Sequence, residues 1–205
     1  MVIVFDLDDT LYDEIDFIKS GFKEISNYLK NKKYFDFMWQ DFIQNGSGKT
    51  FDNLINHFKL NIQITKLIEI YRFHKPNITL PQSSIDLLSI TNTNCLISDG
   101  HYITQQNKFE ALKLYQYIKF PIFTDYYHTK KPDTKPFQMV MKKYNSSKYI
   151  YIADNPKKDF IAPKKLNWIT IRYKNPNGIY KNIPNNADFE FSSKKQILHF
   201  LKDFK

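Results

Sequence analysis

The fold is decided by residues 2–12, which read VIVFDLDDTLY. The first four of these residues are apolar, and three aspartates follow them closely. A short, wholly apolar run of this kind is typical of a parallel strand that is covered on both faces. Ligand sites of open parallel sheets lie beyond the carboxyl ends of the strands. The stretch therefore predicts a buried first strand that places Asp6 and Asp8 at the ligand-binding edge of a sheet.

The pattern after this strand is helical. Between residues 13 and 77, apolar residues recur at helical spacing, beginning with Ile15, Ile18 and Phe22, and no clear strand interrupts them. The first strand can form a sheet only with strands that come later in the chain. We therefore predict that residues 13–77 are a helical cap inserted into a domain that begins before it and continues after it.

From residue 78 onward, predicted helices and strands alternate. Apolar runs predict strands at 95–98, 122–123, 149–153 and 168–171, with a helix at 109–115 between the first two. Such alternation implies right-handed crossovers and a parallel sheet that helices cover on both faces. The predicted fold class is α/β: a Rossmann-like, doubly wound core of residues 1–12 and 78–205 with an inserted all-helical cap.

The composition is that of a globular protein and argues against several other classes. Hydrophobic residues make up 42% of the 205 residues and charged residues 25%, which disfavours disorder and fibrous folds. The single cysteine, Cys95, excludes an intramolecular disulfide and a multi-cysteine zinc site. The apolar run at the start is too short for a signal peptide, and nothing approaches the ~20 apolar residues of a membrane span. We expect a cytoplasmic protein with no membrane partner.

The net charge of +9 raises the question of nucleic acid binding. Among the 30 basic residues only Arg72 and Arg172 are arginines, although arginine usually reads bases and grips phosphates. The lysines are spread along the chain, with ten of them between residues 130 and 165. We therefore expect no nucleic acid partner, and we interpret these ten lysines as a positive field that steers small anions.

Polar residues follow several predicted strands at the edge where ligands bind. The segments concerned are 6–10, 98–100, 130–133 and 154–155. Together they bring carboxylates, a hydroxyl group and a lysine to one edge of the sheet. This combination predicts a site for a phosphate group and a metal ion.

These residues form a recognisable set of four motifs. In chain order they are Asp6-x-Asp8-x-Thr10, Ser98, Lys131-Pro132 and Asp154-x-x-x-x-Asp159. The set resembles the haloacid dehalogenase-like (HAD) phosphohydrolases, in the branch whose helical cap lies between the first and second motifs. The resemblance covers essentially the whole chain. One departure is Asp99, which stands where the family more often has asparagine.

The resemblance implies roles for the first and third motifs. Asp6 is expected to be the nucleophile that forms an aspartyl-phosphate, and Asp8 to protonate the leaving alcohol and later deprotonate the hydrolytic water. Thr10 is expected to brace this loop. Lys131 would offset the charge of the phosphate and the nucleophile, with Lys130 as its rival for that role.

The second and fourth motifs are expected to complete the site. The Ser98 hydroxyl and the backbone amides of Asp99 and Gly100 would bind phosphoryl oxygens. Mg²⁺ would take oxygen atoms from Asp6, from the backbone carbonyl of Asp8 and from Asp154. Asp159 is expected to be either a further ligand or a partner behind the ligands.

The resulting prediction is a Mg²⁺-dependent phosphomonoesterase that acts on a small phosphorylated metabolite. A sugar phosphate is the first candidate and a nucleotide monophosphate the second, because a helical cap that closes over the site favours small substrates. Asp8 argues against a haloacid dehalogenase, which does not need an acid at that position.

Three alternatives stay open at this point. A phosphomutase shares all four motifs and differs mainly in its cap. A phosphonatase would need a lysine in the cap, for which the candidates are Lys19, Lys49 and Lys75. A non-catalytic scaffold or binding protein would tolerate loss of the motif aspartates, all of which are present.

Overall fold

The computed structural model describes residues 1–204. Their chain divides into two compact units. One unit comprises Met1–Glu14 and the chain from Thr79 onward, and the other comprises Ile15–Ile78. These bounds lie close to the predicted ones, which ended the first core segment at residue 12 and began the second at residue 78.

The larger unit is built on a six-stranded sheet in which every strand pair is parallel. The strands are β1 (Val2–Phe5), β2 (Asn94–Ser98), β3 (Ile118–Phe123), β4 (Tyr149–Ala153), β5 (Ile169–Tyr173) and β6 (Phe189–Phe191). Their order across the sheet is β3-β2-β1-β4-β5-β6. The predicted α/β class is thereby confirmed, with β1 between β2 and β4.

The smaller unit is helical. It contains nearly all of α1 (Glu14–Tyr28) and the whole of α2 (Lys33–Asn45), α3 (Thr50–Phe58) and α4 (Ile64–Phe73). Its buried core comprises Phe22, Ile25, Met38, Leu54 and Leu67. These residues are the helical-spacing apolar positions of each element, so the periodicity of this region correctly indicates its structure.

Five further helices belong to the larger unit. They are α5 (Gln82–Leu88), α6 (Tyr102–Ala111), α7 (Lys135–Lys143), α8 (Ile161–Lys165) and α9 (Lys194–Asp203). Side chains of β1, β2 and β4 are buried at every position, which explains why β1 and β4 read as continuous apolar runs and β2 contains the apolar run 95–97. Within residues 1–204, no helix is both long enough and apolar enough to span a membrane.

Two predicted elements need correction. The strand predicted at 122–123 extends over Ile118–Phe123, and β6 is absent from the prediction. Both are edge strands with exposed positions, and β3 contains Pro121, so neither shows a continuous apolar run. The helix predicted at 109–115 is Tyr102–Ala111, because much of its buried face is polar.

Candidate active site

A cavity of about 270 Å³ opens beyond the carboxyl ends of β1, β2 and β4. Parallel strands end at the same edge, and β1 lies between the other two, so the residues that follow these strands are brought together. Its acidic lining residues are Asp6, Asp8, Asp9, Glu14, Asp99 and Asp154. The rest of its lining comprises Gly100, Gln105, Asn155, Lys158, Ile179 and Tyr180.

Lys131 connects the first and fourth motifs. Its Nζ lies 2.7 Å from Asp6 Oδ1 and 2.8 Å from Asp159 Oδ1, and it also donates to the Tyr151 hydroxyl at 3.1 Å. Burial alone would lower the pKa of Lys131, but Asp159 and Asp6 hold it well above its ordinary value. Lys131 therefore carries a buried positive charge. Its rival, Lys130, is exposed.

Three buried carboxylates lie around this lysine. One oxygen atom from each of Asp6, Asp154 and Asp159 falls within 4.8 Å of the others. Burial raises the pKa of Asp6 to about 7, although Lys131 acts to lower it. Burial, together with the charges of Asp6 and Asp159, raises the pKa of Asp154 to about 9. The single positive charge of Lys131 thus does not balance the negative charge of the three carboxylates.

Such a cluster fits a hard divalent cation. Its donors are carboxylate oxygens, which Mg²⁺ prefers, and an added positive charge would relieve the repulsion that raises these pKa values. Asp159 is held on both sides, because its Oδ2 accepts a hydrogen bond from the Asn155 amide at 3.1 Å and its Oδ1 faces Lys131. The backbone carbonyl of Asp154 accepts a hydrogen bond from Arg172 Nε at 3.3 Å.

Asp8 has a different set of partners. Its Oδ1 accepts from the Tyr12 hydroxyl at 2.6 Å and faces Lys108 Nζ at 2.8 Å, and its Oδ2 accepts from Gln105 at 3.2 Å. Burial would raise the pKa of Asp8, but Lys108 and the hydrogen bonds outweigh it and hold the pKa below its ordinary value. The carboxylate of Asp8 is therefore ionised and lies outside the cluster of Asp6, Asp154 and Asp159.

The first motif turns sharply after Asp8. Asp9 has a φ of 54°, in the left-handed region, and its Oδ1 accepts a hydrogen bond from the Glu14 amide at 3.0 Å. Thr10 is buried, and its amide donates to the Leu7 carbonyl at 3.3 Å. Asp6 and Asp8, which one residue separates, thus precede the turn and contact different lysines, Lys131 and Lys108.

The second motif ends β2. Ser98 is buried and is not among the residues that line the cavity, and its Oγ has no hydrogen-bond partner among the described residues. Asp99 accepts from the Lys131 amide at 3.1 Å and faces Lys158 Nζ at 2.7 Å. Gly100 has a φ of 122°, and a Cβ there would lie 2.5 Å from Gln105 Nε2. Asp99 thus links the second, third and fourth motifs.

Several cavity residues are absent from the sequence-based prediction. They are Glu14, Gln105, Lys158, Ile179 and Tyr180, with Lys108 behind Asp8. Gln105 and Lys108 are buried on α6, where their polar character made that helix hard to recognise. Burial, together with the Asp8 charge, raises the pKa of Glu14 to about 7, although Lys108 acts to lower it. A buried polar face on a helix beside a motif is the signal that could have identified the first two residues.

Comparison with known proteins places this geometry in a family. Residues 3–172 match the model of the haloacid dehalogenase-like hydrolases. A glyceraldehyde 3-phosphate phosphatase of Methanocaldococcus jannaschii is 26% identical over 225 aligned positions, which cover 99% of this chain and 97% of the relative.

Solved structures share the fold at low sequence identity. The magnesium-bound structure of YfnB from Bacillus subtilis, assigned as a HAD-hydrolase, has a TM-score of 0.71 at 16% identity and covers 98% of both chains. A Thermotoga maritima protein assigned as a β-phosphoglucomutase has a TM-score of 0.74 at 14% identity, covering 100% of this chain and 99% of its own. The chain belongs to the haloacid dehalogenase-like hydrolases, and the predicted family is confirmed.

Proposed function

From membership of this hydrolase family, we propose that the protein is a Mg²⁺-dependent phosphomonoesterase that works through an aspartyl-phosphate on Asp6. The observation that carries the proposal is the cluster of Asp6, Asp154 and Asp159 around Lys131 at the edge of the cavity. It combines a nucleophile, a positive charge and a set of oxygen ligands for a hard cation. The phosphatase name of the 26% identical relative supports the same reaction class.

Asp6 is the group that attacks phosphorus. Its carboxylate borders the cavity, while the contact between its Oδ1 and Lys131 leaves Oδ2 as the oxygen for attack. Lys131 holds the carboxylate in position and keeps part of its charge balanced. The unpartnered Ser98 hydroxyl would donate to a phosphoryl oxygen, as the backbone amides of Asp99 and Gly100 would.

The metal site would be formed by Asp6, Asp154 and Asp159 together with the backbone carbonyl of Asp8. When bound there, Mg²⁺ supplies positive charge that offsets the phosphoryl group and the clustered carboxylates. Because Lys131 and the Asn155 amide already engage Asp159, we infer that Asp159 serves mainly to hold Lys131 and the loop that follows Asp154.

Asp8 would act as the general acid and the general base of the reaction. As an ionised carboxylate it is ready to deprotonate the water that hydrolyses the aspartyl-phosphate. To protonate the leaving alcohol in the first step, it must first gain a proton. Lys108, Tyr12 and Gln105 fix the carboxylate in one orientation for both steps.

For the substrate, we propose a small sugar phosphate, with a nucleotide monophosphate as the second candidate. A cavity of about 270 Å³ suits a small ligand, and the curated relative is named for a triose phosphate. Two further assignments accompany this proposal. The helical unit Ile15–Ile78 is the cap, and the buried free thiol of Cys95 suits a reducing cytoplasm.

Phosphate release tests the proposal directly. The wild-type protein and Asp6→Asn are assayed on sugar phosphates and nucleotide monophosphates, with Mg²⁺ and with a chelator. We expect release by wild type with Mg²⁺ only and none by Asp6→Asn. Asp86→Asn, which removes an exposed carboxylate on α5, is the matched control and should retain wild-type activity. Isomerisation of a sugar phosphate without phosphate release would indicate a mutase instead.

A further inference from the structure

The segment between β5 and β6, residues 174–188, forms one side of the cavity through Ile179 and Tyr180. We propose that this β5–β6 segment is a fixed wall that selects the leaving group of the substrate, and that Arg172 is the positioning residue that holds it. The inference rests on the proposed phosphatase function, and it names residues that the four motifs do not include.

Arg172 anchors the segment from the sheet. Only 1% of its surface is exposed, and its guanidinium donates to the carbonyls of Tyr180 at 2.6 Å and Ile183 at 2.8 Å. It also pairs with Glu190 at 2.8 Å, and its Nε reaches the carbonyl of Asp154. One rigid, planar group thus ties the wall to the backbone of a motif aspartate, which the single ammonium of a lysine could not do.

A second anchor joins the segment to the first motif. Asn175 Nδ2 donates to the Asp9 carbonyl at 3.0 Å and to Asp13 Oδ1 at 2.9 Å. Asn177 Nδ2 donates to the other oxygen of Asp13 at 3.1 Å. Gly178 packs so closely that a Cβ there would lie 3.1 Å from Asn175 Cβ. A connection of this length without a helix or strand is usually functional or disordered, and these bonds support a functional wall.

The wall presents one apolar and one amphipathic side chain. Ile179 is 70% exposed and borders the cavity, where its side chain offers apolar surface to a ligand, and Tyr180 is half-buried. Burial raises the pKa of Tyr180, so its hydroxyl remains protonated and can donate. With the phosphoryl group at Asp6, these side chains face the rest of the substrate. A short hydroxylated carbon chain matches them, with its C–H face on Ile179 and a hydroxyl group on Tyr180.

The test compares leaving groups. Ile179→Ala and Tyr180→Phe are assayed on a sugar phosphate and on phenyl phosphate, which lacks a hydroxyl on its leaving group. We expect KM for the sugar phosphate to rise about three- to tenfold in Tyr180→Phe, with kcat within about twofold, because one hydrogen bond is lost. KM for phenyl phosphate should not change in that variant. Ile161→Ala, an exposed isoleucine on α8 outside the cavity, is the matched control.

The anchoring role of Arg172 has a separate readout. Trypsin should cut after Lys174 or Lys181 faster in Arg172→Met than in wild type, with Arg172→Lys between them. The KM for the sugar phosphate should follow the same order. Should Arg172→Met fail to fold, Arg172→Lys and the two wall variants still decide the question.

The outcomes separate the two proposals. If wild type is active and both wall variants keep its preference between the sugar phosphate and phenyl phosphate, the selection role of the wall is contradicted. The proposed phosphatase function would then stand. Absence of phosphate release by wild type from every ester would overturn the proposed function and the selection role together. Equal tryptic rates in wild type and the Arg172 variants would overturn the positioning role alone.

Discussion

The cavity has two acid–base regions that begin two residues apart in the chain, at Asp6 and at Asp8. In the first region, Asp6 and Asp159 both contact Lys131, and Asp154 lies beside them. Burial is the main cause that raises the pKa of Asp6 and of Asp154. In the second, Asp8 has Lys108 and two neutral donors, and its pKa is lowered. The two regions bury similar groups but differ in how completely their charge is balanced.

The different roles that we propose for Asp6 and Asp8 rest on this difference in charge balance. The first region is short of positive charge, so it is suited to take up a cation. In the second region, Lys108 and the hydrogen bonds outweigh the burial of Asp8, so its carboxylate is held in a defined state and orientation. Environment, more than residue type, would therefore separate the proposed nucleophile, Asp6, from the proposed proton-transfer group, Asp8.

The largest expected effect is a loss of kcat when Asp6 or Asp8 is replaced, and its size should differ between the two residues. Asp6→Asn should lower kcat at least about 10³-fold on any phosphate ester, because no covalent intermediate can form. Asp8→Asn should lower kcat about 10²-fold on alkyl phosphates. With 4-nitrophenyl phosphate, whose leaving group needs no proton, Asp8→Asn should give a burst of one nitrophenolate per active site and then slow turnover.

Stopped-flow absorbance measures that burst. Asp6→Asn provides the control without a burst. A burst in Asp6→Asn, or equal losses without a burst in both variants, would contradict the division of roles between the two regions.

A smaller effect is expected from removing the positive charge of the second region. Lys108→Met leaves the Asp8 carboxylate without its cation, and we expect a loss of about 2–3 kcal/mol in the free energy of unfolding, since Asp8 keeps some contact with water. Adding Asp8→Asn should recover most of this loss, because the unpaired charge is then gone. Urea unfolding of the two single variants and the double variant measures the coupling, and additive losses would argue against the pair.

The smallest expected effect is the pH dependence of the stability of the folded protein, which should reveal the region that is short of positive charge. The pKa values of Asp6 and Asp154 are raised on folding to about 7 and about 9, so the folded state keeps protons that the unfolded state loses above about pH 4. With a chelator, stability should therefore be highest near pH 4 and should fall as pH rises through about 7 and towards 9. Mg²⁺ should reduce this fall, and Asp154→Asn should reduce it without Mg²⁺.

Thermal unfolding from pH 4 to 9 checks this expectation. We expect Tm to fall as pH rises in the chelated protein, and Asp86→Asn, which removes an exposed carboxylate on α5, should keep the same slope against pH as wild type. A Tm that rises with pH in the chelated protein would contradict the proposed charge imbalance of the first region.

The central strands of the sheet are easier to predict from the sequence than the edge strands. The strands β1, β2 and β4 are buried along their whole length, so β1 and β4 read as apolar runs and β2 contains the apolar run 95–97. The outer strands β3 and β6 have exposed positions, and their pairing depends on neighbours distant in the chain. The residues of the first, second and fourth motifs lie at or directly after the ends of these strands, so recognising the strands in the sequence also identifies those residues.

The rest of the site depends on contacts that no local pattern shows. Lys108 and Gln105 resemble solvent-facing residues of a helix until the fold places Asp8 against them. Tyr180 lies in a segment without regular structure, and its carbonyl accepts a hydrogen bond from the buried guanidinium of Arg172, a contact that no local pattern of the sequence indicates. Such residues are recruited by tertiary packing, and their sequence neighbourhood has no periodicity to indicate it.

Trapping the covalent intermediate tests the central claim most directly. Wild-type protein is mixed with Mg²⁺ and a substrate that it hydrolyses, quenched during turnover, treated with borohydride and examined by peptide mass spectrometry. We predict that Asp6 alone is reduced, because only an acyl phosphate at that carboxyl reacts, and that Asp8→Asn accumulates more of it. Turnover with no modified Asp6, or modification of another carboxylate, would contradict the account.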